Sequence, residues 1–294
     1  MWDKCTIEEA IAATGKRPTS VRWVDVNKGD DKDPNYRSRL VARDIKRKGD
    51  TAIFAPTPPL ESLRMIMSFV ATKDCWTEEV WNAPADSDMR LQISFIDIAR
   101  AYFNAKISDD HPIFVELPPE DPDHGKGLCA RLRVHMYGTR PAAEGWHCEF
   151  SSTLDEAGMQ RGISSACVFR HPEKQLICTV HGDDFTTAGP KASLDWFRKH
   201  FEKHYELKEA ARIGAGPNDD KEARVLNRIV TWTPEGLTYE ADPRHYEKLV
   251  SELGLNGAKS VSTPCVKHTH EEVNKDNVLD SSRITHFRGL AARG

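Results

Sequence analysis

The chain has 294 residues, 39% hydrophobic and 29% charged, with a formal net charge of −4. These totals describe a globular chain able to bury a sizeable core as one large domain or two to three subdomains, and they exclude a disordered chain and a uniformly basic nucleic-acid coat. A local basic face stays compatible with them, because salt confines the reach of surface charge to about 10 Å.

Seven cysteines, an odd number without a CxxC pair, argue against a disulfide framework or a structural zinc site and suit a reducing compartment. The N-terminal MWDKCTIEEAIAATGKRP has acidic residues and no apolar stretch, so no signal peptide is expected. No apolar run approaches the roughly 18 residues of a membrane span. The expected location is intracellular, with cytoplasm and nucleus not distinguished and no membrane partner.

In chain order, VRWVDVN (21–27) and YRSRLVARDI (36–45) alternate with the period of strands around GDDKDPN, which predicts a hairpin. Its second strand and exit carry Arg37, Arg39, Arg43, Lys46, Arg47 and Lys48, the most basic stretch of the chain. Either a charged edge strand or a phosphate-binding surface accounts for it. IFAPTPP (53–59) reads as stiff extended chain, and Leu60, Leu63, Ile66, Met67 and Val70 then recur at helical spacing. LQISFIDI (91–98) is largely apolar, as in a central buried strand, and carries Asp97 at its end. IFVEL (113–117) and LCARLRVH (128–135) read as further strands.

Pro141 opens a helix with Trp146, Phe150 and Leu154 on one face, ending near Gly158. ACVFRH (166–171) and QLICTVH (175–181) read as strands leading into VHGDDF, from which DFTTAG (184–189) returns. A helix with Leu194, Phe197 and Phe201 follows, whose His200 and His204 either share a metal or lie solvated beside the apolar stripe. RVLNRIVTW (224–232) and GLTYEA (236–241) predict a hairpin around Thr233-Pro234-Glu235. Asp242-Pro243 starts a helix with Tyr246, Leu249, Val250 and Leu253 inside and Gly254 as its stop. Residues 259–282 are polar and linker-like, and ITHFRGLAARG begins a periodic segment that the chain's end cuts off. Strands and helices mix without strict βαβ alternation, which predicts an α+β fold.

An acid ending an apolar strand (Asp97) and two adjacent acids at a hairpin tip (Asp183, Asp184) would be costly to bury unpaired. A solvated turn avoids that cost. So does a divalent cation: magnesium takes one or two carboxylates plus substrate phosphates, and two such ions about 4 Å apart suit in-line phosphoryl displacement. Gly182 beside the pair permits close approach of backbone and substrate.

The order of these features resembles the reverse transcriptase domain of copia-type retrotransposons over about residues 21–267. YRSRLVAR is similar to that family's K-A-R-L-V-A-R, FAPTPPLESLR to F-A-P-V-x-x-L-x-S-L-R, and FIDIARAYFNA to D-V-K-T-A-F-L-N-G. VELPPEDP resembles M-x-Q-P-P-G-F, MYGTRPAAEGW resembles L-Y-G-L-K-Q-A-P-R-A-W, and VHGDDFTTAG resembles Y-V-D-D-L-L-I-A-G. The resemblance implies a right-hand polymerase with an antiparallel palm sheet. Its parts would be an N-terminal extension (1–20), fingers (21–90 and 113–148), palm (91–112 and 149–241), a thumb-like helix (242–258) and a linker with a truncated C-terminal segment (259–294).

It also implies RNA-directed DNA synthesis, with Asp97, Asp183 and Asp184 as catalytic ligands of two Mg²⁺ (or Mn²⁺) ions and transfer from a dNTP to a primer 3′-hydroxyl. Tyr102 falls on the position that excludes a 2′-hydroxyl, a core aromatic being the plainer alternative. Arg37, Arg39, Gly138 and Arg140 fall on the nucleotide site, and Arg43, Lys46, Arg47 and Lys48 on the path of an RNA or DNA template with its primer. The ribonuclease H and integrase parts of such a polyprotein are expected to be absent from this chain.

Departures are local: His181-Gly182 replace tyrosine-valine, Pro141, Ala143 and Glu144 replace glutamine, proline and arginine, and Leu226-Asn227 replace leucine-glycine after the insertion-like GAGPNDDKEA. A catalytically silent nucleic-acid-binding remnant is the alternative in a second class. A metal-dependent phosphohydrolase using His181, Asp183 and Asp184 is a third.

Overall fold

The computed structural model describes residues 1–29, 33–46, 53, 55–262 and 279–292. It divides into one unit of residues 1–221 and 232–236 and a second of residues 222–231 and 237–294. In chain order the first unit contains β1 (Trp2–Thr6), α1 (Ile7–Thr14), β2 (Val21–Asn27), β3 (Tyr36–Ala42), α2 (Leu60–Val70), α3 (Glu78–Trp81), β4 (Leu91–Ile98), β5 (Phe114–Glu116), β6 (Leu128–Leu132), α4 (Ala142–Glu156), β7 (Gln160–Arg161), β8 (Val168–His171), β9 (Leu176–His181), β10 (Asp184–Pro190), α5 (Lys191–Phe201) and β11 (Leu207–Gly214).

The apolar run of β4 makes it an interior strand of a six-stranded sheet in the order β11-β4-β10-β9-β8-β7, paired antiparallel throughout. The predicted mixed α and antiparallel β class is what forms. Alternation along β4 sends Ile96 and Ile98 into a core with Phe185, Val180 and Phe169, where Trp146, Phe150 and Leu154 of α4 and Leu194, Phe197 and Phe201 of α5 close it. Asp97, between those isoleucines, points to the other face. α2 buries Leu63, Ile66, Met67 and Val70, as its spacing predicts, but leaves Leu60 exposed.

The predicted basic hairpin is β2-β3, in register from Val21↔Ala42 to Asn27↔Tyr36. Residues 1–20 contribute β1 and the capped helix α1. β1 joins β6 and β5 in a three-stranded sheet, and Thr6 and Glu9 form a capping box.

The insertion-like segment is anchored. Arg90 grips Asp219 with both Nε (3.0 Å) and Nη2 (2.8 Å), Gln92 Nε2 donates at 2.7 Å and the Gly216 N–H at 2.8 Å. Burial pushes the Asp219 carboxyl up, but the bonds from Arg90, Gln92 and Gly216 outweigh it and hold it at about 2.

The second unit carries β12 (Glu222–Val225), most of β13 (Arg228–Thr233) and of β14 (Gly236–Ala241), α6 (Pro243–Glu252) and α7 (Ser281–Ala291). Two expectations are corrected here. The run 224–232 is two strands, because Leu226 (φ 47) and Asn227 (φ 60) adopt left-handed conformations and turn β12 back onto β13. The expected inward face of α6 is not inside: Tyr246 and Leu253 are 59% and 54% exposed, Leu249 and Val250 are half-buried, and no residue of the helix is buried. Asp242 does cap it, accepting from the Arg244 N–H. Among the described residues no helix is long and apolar enough to cross a membrane.

Removing the Asp219 carboxylate strands a buried guanidinium, so Asp219→Ala should lose about 3 kcal/mol in urea unfolding at pH 7. Because the folded carboxyl titrates near 2, below its ordinary 3.8, this stabilisation is complete above pH 4. It disappears as pH falls from about 4 to about 2, so the variant and wild-type stabilities should converge over that window.

Candidate active site

β9 and β10 are joined by a two-residue loop, Gly182-Asp183, with His181 paired to Asp184. Gly182 at φ +66 supplies the positive first angle of a type II′ hairpin turn. The valine that the family pattern puts there would be strained, so the substitution changes the turn chemistry and keeps the hairpin tight. Two bonds pin the loop: Trp146 Nε1 donates to the Gly182 carbonyl at 2.8 Å, and the Ile98 N–H donates to the Asp183 carbonyl at 3.0 Å.

Register then brings the acids together. Asp184 of β10 sits directly opposite Asp97 of β4, and Asp183 joins them from the turn. One carboxylate oxygen from each of Asp97, Asp183 and Asp184 lies within 4.8 Å of the others. Among the described residues this is the one cluster of three or more side chains with metal-binding geometry. Cross-strand pairing puts Lys208 of β11 opposite Asp97 and His181 opposite Asp184, so the row Lys208, Asp97, Asp184, His181 crosses four strands on one face.

Burial raises the Asp184 carboxyl, and the charges of Asp183 and Asp97 add to it, to about 6. Asp97 is also raised, by burial and then by Asp183, with Arg37 and Lys208 acting against the shift. Such a site gains from a cation and loses without one.

After β4 the chain turns through Arg100 in the left-handed region (φ 55) into a short 3-10 helix, Ala101–Asn104. Asn104 Nδ2 reaches back to the carbonyls of Ala99, Arg100 and Ala101 at 3.3–3.4 Å. Tyr102 is half-buried, edge-on to Tyr137 at 4.9 Å between ring centroids, and Phe103 meets the same ring at 5.5 Å. The Arg39 guanidinium lies 5.8 Å from the Tyr137 ring centre. Burial raises both tyrosine hydroxyls, and Asp183 raises both further. Gly138 has φ +83, and an added Cβ would fall 2.1 Å from the Ala42 carbonyl oxygen, so the chain here lies directly on β3.

Of the residues singled out in the sequence, Asp97, Asp183 and Asp184 converge. Arg37 is exposed and its charge bears on Asp97, while Arg39 is half-buried against Tyr137. Arg140 follows Gly138, and its N–H donates to Asp44 Oδ2 at 3.0 Å. Arg43 and Lys46 are exposed at the exit of β3. Arg47 and Lys48 lie outside the described residues. The pair His200 and His204 is not part of a metal cluster; His200 is half-buried and stacks on Trp196, and only His204 is exposed. Tyr137, Lys208 and the Trp146–Gly182 bond carry no local signal in the sequence: strand pairing brings Lys208 to Asp97, a ring contact with Tyr102 brings in Tyr137, and a long-range hydrogen bond ties Trp146 of α4 to the turn.

The sequence model of the reverse transcriptase (RNA-dependent DNA polymerase) family matches residues 10–215, and the chain belongs to this family. Among characterised proteins it is similar to the retrovirus-related Pol polyprotein from transposon TNT 1-94 of Nicotiana tabacum. The two are 24% identical over 265 residues, 86% of this chain and 18% of the polyprotein. The chain thus spans less than a fifth of that relative's length. The resemblance to a copia-type reverse transcriptase domain is borne out, and the phosphohydrolase alternative is set aside with it.

Protonation of Asp184 near pH 6, above its ordinary 3.8, means the folded state holds this proton longer than the unfolded chain. Without divalent ions, stability should therefore fall as pH rises from about 4 to 6 and stay low above it. Asp184→Asn should raise stability of the EDTA-treated protein at pH 7.5 by about 1 kcal/mol, discounted for solvent screening, and change little at pH 4. Thermal melts at the two pH values check this.

Proposed function

We propose that this chain is the RNA-directed DNA polymerase domain of a retrotransposon polyprotein, extending a primer 3′-hydroxyl with dNTPs on an RNA or DNA template. The observation that carries the proposal is the cross-strand pairing of Asp97 with Asp184, with Asp183 in the adjoining turn, in a chain of the reverse transcriptase family. The six-stranded sheet corresponds to the palm, and β2-β3 with the β5-β6 region to the fingers. The segment 242–258 corresponds to the start of a thumb.

Three carboxylates within one ion's reach, with Asp184 and Asp97 raised by burial and then by neighbouring charge, fit a pair of divalent cations held by Asp97, Asp183 and Asp184. Bound there, Mg²⁺ or Mn²⁺ supplies charge neutralisation at the attacking and leaving oxygens of the phosphoryl transfer. The protein's own side chains do the positioning. Arg37 and Arg39 receive the triphosphate, where a planar guanidinium matches phosphate oxygens. Tyr102, held edge-on by Tyr137, stands under the sugar and leaves no room for a 2′-hydroxyl. The Gly138 backbone and Arg140 complete the nucleotide site, and Arg43, Lys46, Arg47 and Lys48 follow the template and primer backbones without reading bases.

A silent nucleic-acid-binding remnant is the second reading, motivated by Glu144, an exposed acid in the first turn of α4 where the family pattern has arginine. Primer extension on poly(rA)/oligo(dT) separates the two. The polymerase reading expects Mg²⁺- or Mn²⁺-dependent extension, abolished by EDTA and reduced by several orders of magnitude in Asp183→Ala. Template binding without any extension would leave the remnant. Tyr102→Ala should increase ribonucleotide incorporation relative to deoxynucleotide, measured as the ratio of kcat/KM values; an unchanged ratio would remove Tyr102 from sugar selection.

A further inference from the structure

Away from the acidic cluster, two thiols face each other. β1 and β6 pair antiparallel with Cys5 directly opposite Cys129, and their Sγ atoms are 3.5 Å apart. The in-register bonds from the Ile7 N–H to the Gly127 carbonyl (2.9 Å) and from the Arg133 N–H to the Met1 carbonyl (3.0 Å) place this couple in the hydrogen-bonded phase of the ladder. Cα atoms there lie about 5.5 Å apart, inside the roughly 4.4–6.8 Å that a disulfide spans. Cys129 is fully buried and packs with Ala10 and Phe114, while Cys5 at the edge of that cluster is half-buried.

We propose that Cys5 and Cys129 form an oxidation site, closing a reversible cross-strand disulfide on exposure to a hydroperoxide. Cys5, the accessible thiol, reacts first: its sulfur takes an oxygen from the peroxide and becomes a sulfenic acid, and the peroxide leaves as water or an alcohol. Cys129 sulfur then attacks the Cys5 sulfur; the S–S bond forms, the S–O bond breaks, and the hydroxyl departs with the Cys129 proton as water. The cysteines lose two electrons in total and the peroxide gains two. Burial, and then Cys5 beside it, push the Cys129 thiol up to about 12, which makes it a poor first point of attack, so its part in the second step rests on the 3.5 Å proximity of the two sulfurs. The bridge ties the N-terminal strand to β6 across a separation of 124 residues, constraining the unfolded chain and not the folded one.

The test is peroxide treatment of the full chain, alkylation of remaining thiols, and peptide mapping by mass spectrometry. The expected product is a cross-linked peptide pair containing Cys5 and Cys129, about 2 Da lighter than the two thiols and restored by dithiothreitol, with a melting temperature several degrees above that of the reduced protein. Cys5→Ser should leave Cys129 alkylatable and abolish the shift, and in Cys129→Ala a sulfenic-acid probe should label Cys5. Should the second variant not fold, the first with the wild-type peptide map still decides. Oxidation of Cys5 to sulfinic acid while Cys129 remains a free thiol, or its pairing with exposed Cys75 or Cys148, would overturn the proposal. No outcome here depends on polymerase activity.

Discussion

The structure turns on like charges that sheet register forces together. Asp97 and Asp184 are a directly opposed pair on adjacent strands, and Asp183 is fixed by its own carbonyl's bond from Ile98. The backbones of Asp97 and Asp184 cannot separate without breaking the ladder between two interior strands, so the proximity of these two acids is built into the sheet. Burial first, and then the repulsion from Asp183 and Asp97, raise the Asp184 carboxyl. Three acids arranged this way cost stability in an empty site and become favourable when a cation shares their charge.

The surroundings keep the acids in place. Alternation on β4 sends Ile96 and Ile98 into the α4–α5 core and leaves Asp97 on the opposite face. Trp146 belongs to that core and also holds the Gly182 carbonyl, so the packing of α4 and the position of the hairpin tip are one constraint. Around the acids, Arg37 and Lys208 bring compensating charge to Asp97, while Tyr102, edge-on to Tyr137, and Arg39 over the same ring pack together near Asp183. Two guanidinium groups and a pair of tyrosine rings thus adjoin the same carboxylates.

Much of this was legible in the sequence where one periodicity dominates. The apolar run of β4, the β2-β3 alternation, and the helical spacing in α2, α4 and α5 each announce their element because local pattern and burial agree. The convergence of Asp97 with Asp183 and Asp184 was legible only through the resemblance, since no local pattern encodes contact between distant strands. What escaped was set by long-range partners. β1 takes its strand conformation from β6, and Asp219 is decided by Arg90 and Gln92. Tyr137 gains its meaning from Tyr102 and Arg39. The Leu226-Asn227 turn escaped because the apolar, β-prone residues around it read as one strand, although two consecutive left-handed residues break it. In α6 the apolar residues were expected inside, but the helix leaves that face largely exposed.

The most direct measurement is anomalous X-ray diffraction from crystals soaked in Mn²⁺, with an EDTA-treated crystal as control. The account predicts manganese peaks bounded by the carboxylates of Asp97, Asp183 and Asp184, present in the soaked crystal alone. A structure with Asp97 turned away from the 183–184 hairpin, or manganese bound elsewhere with these three acids bare, would contradict it.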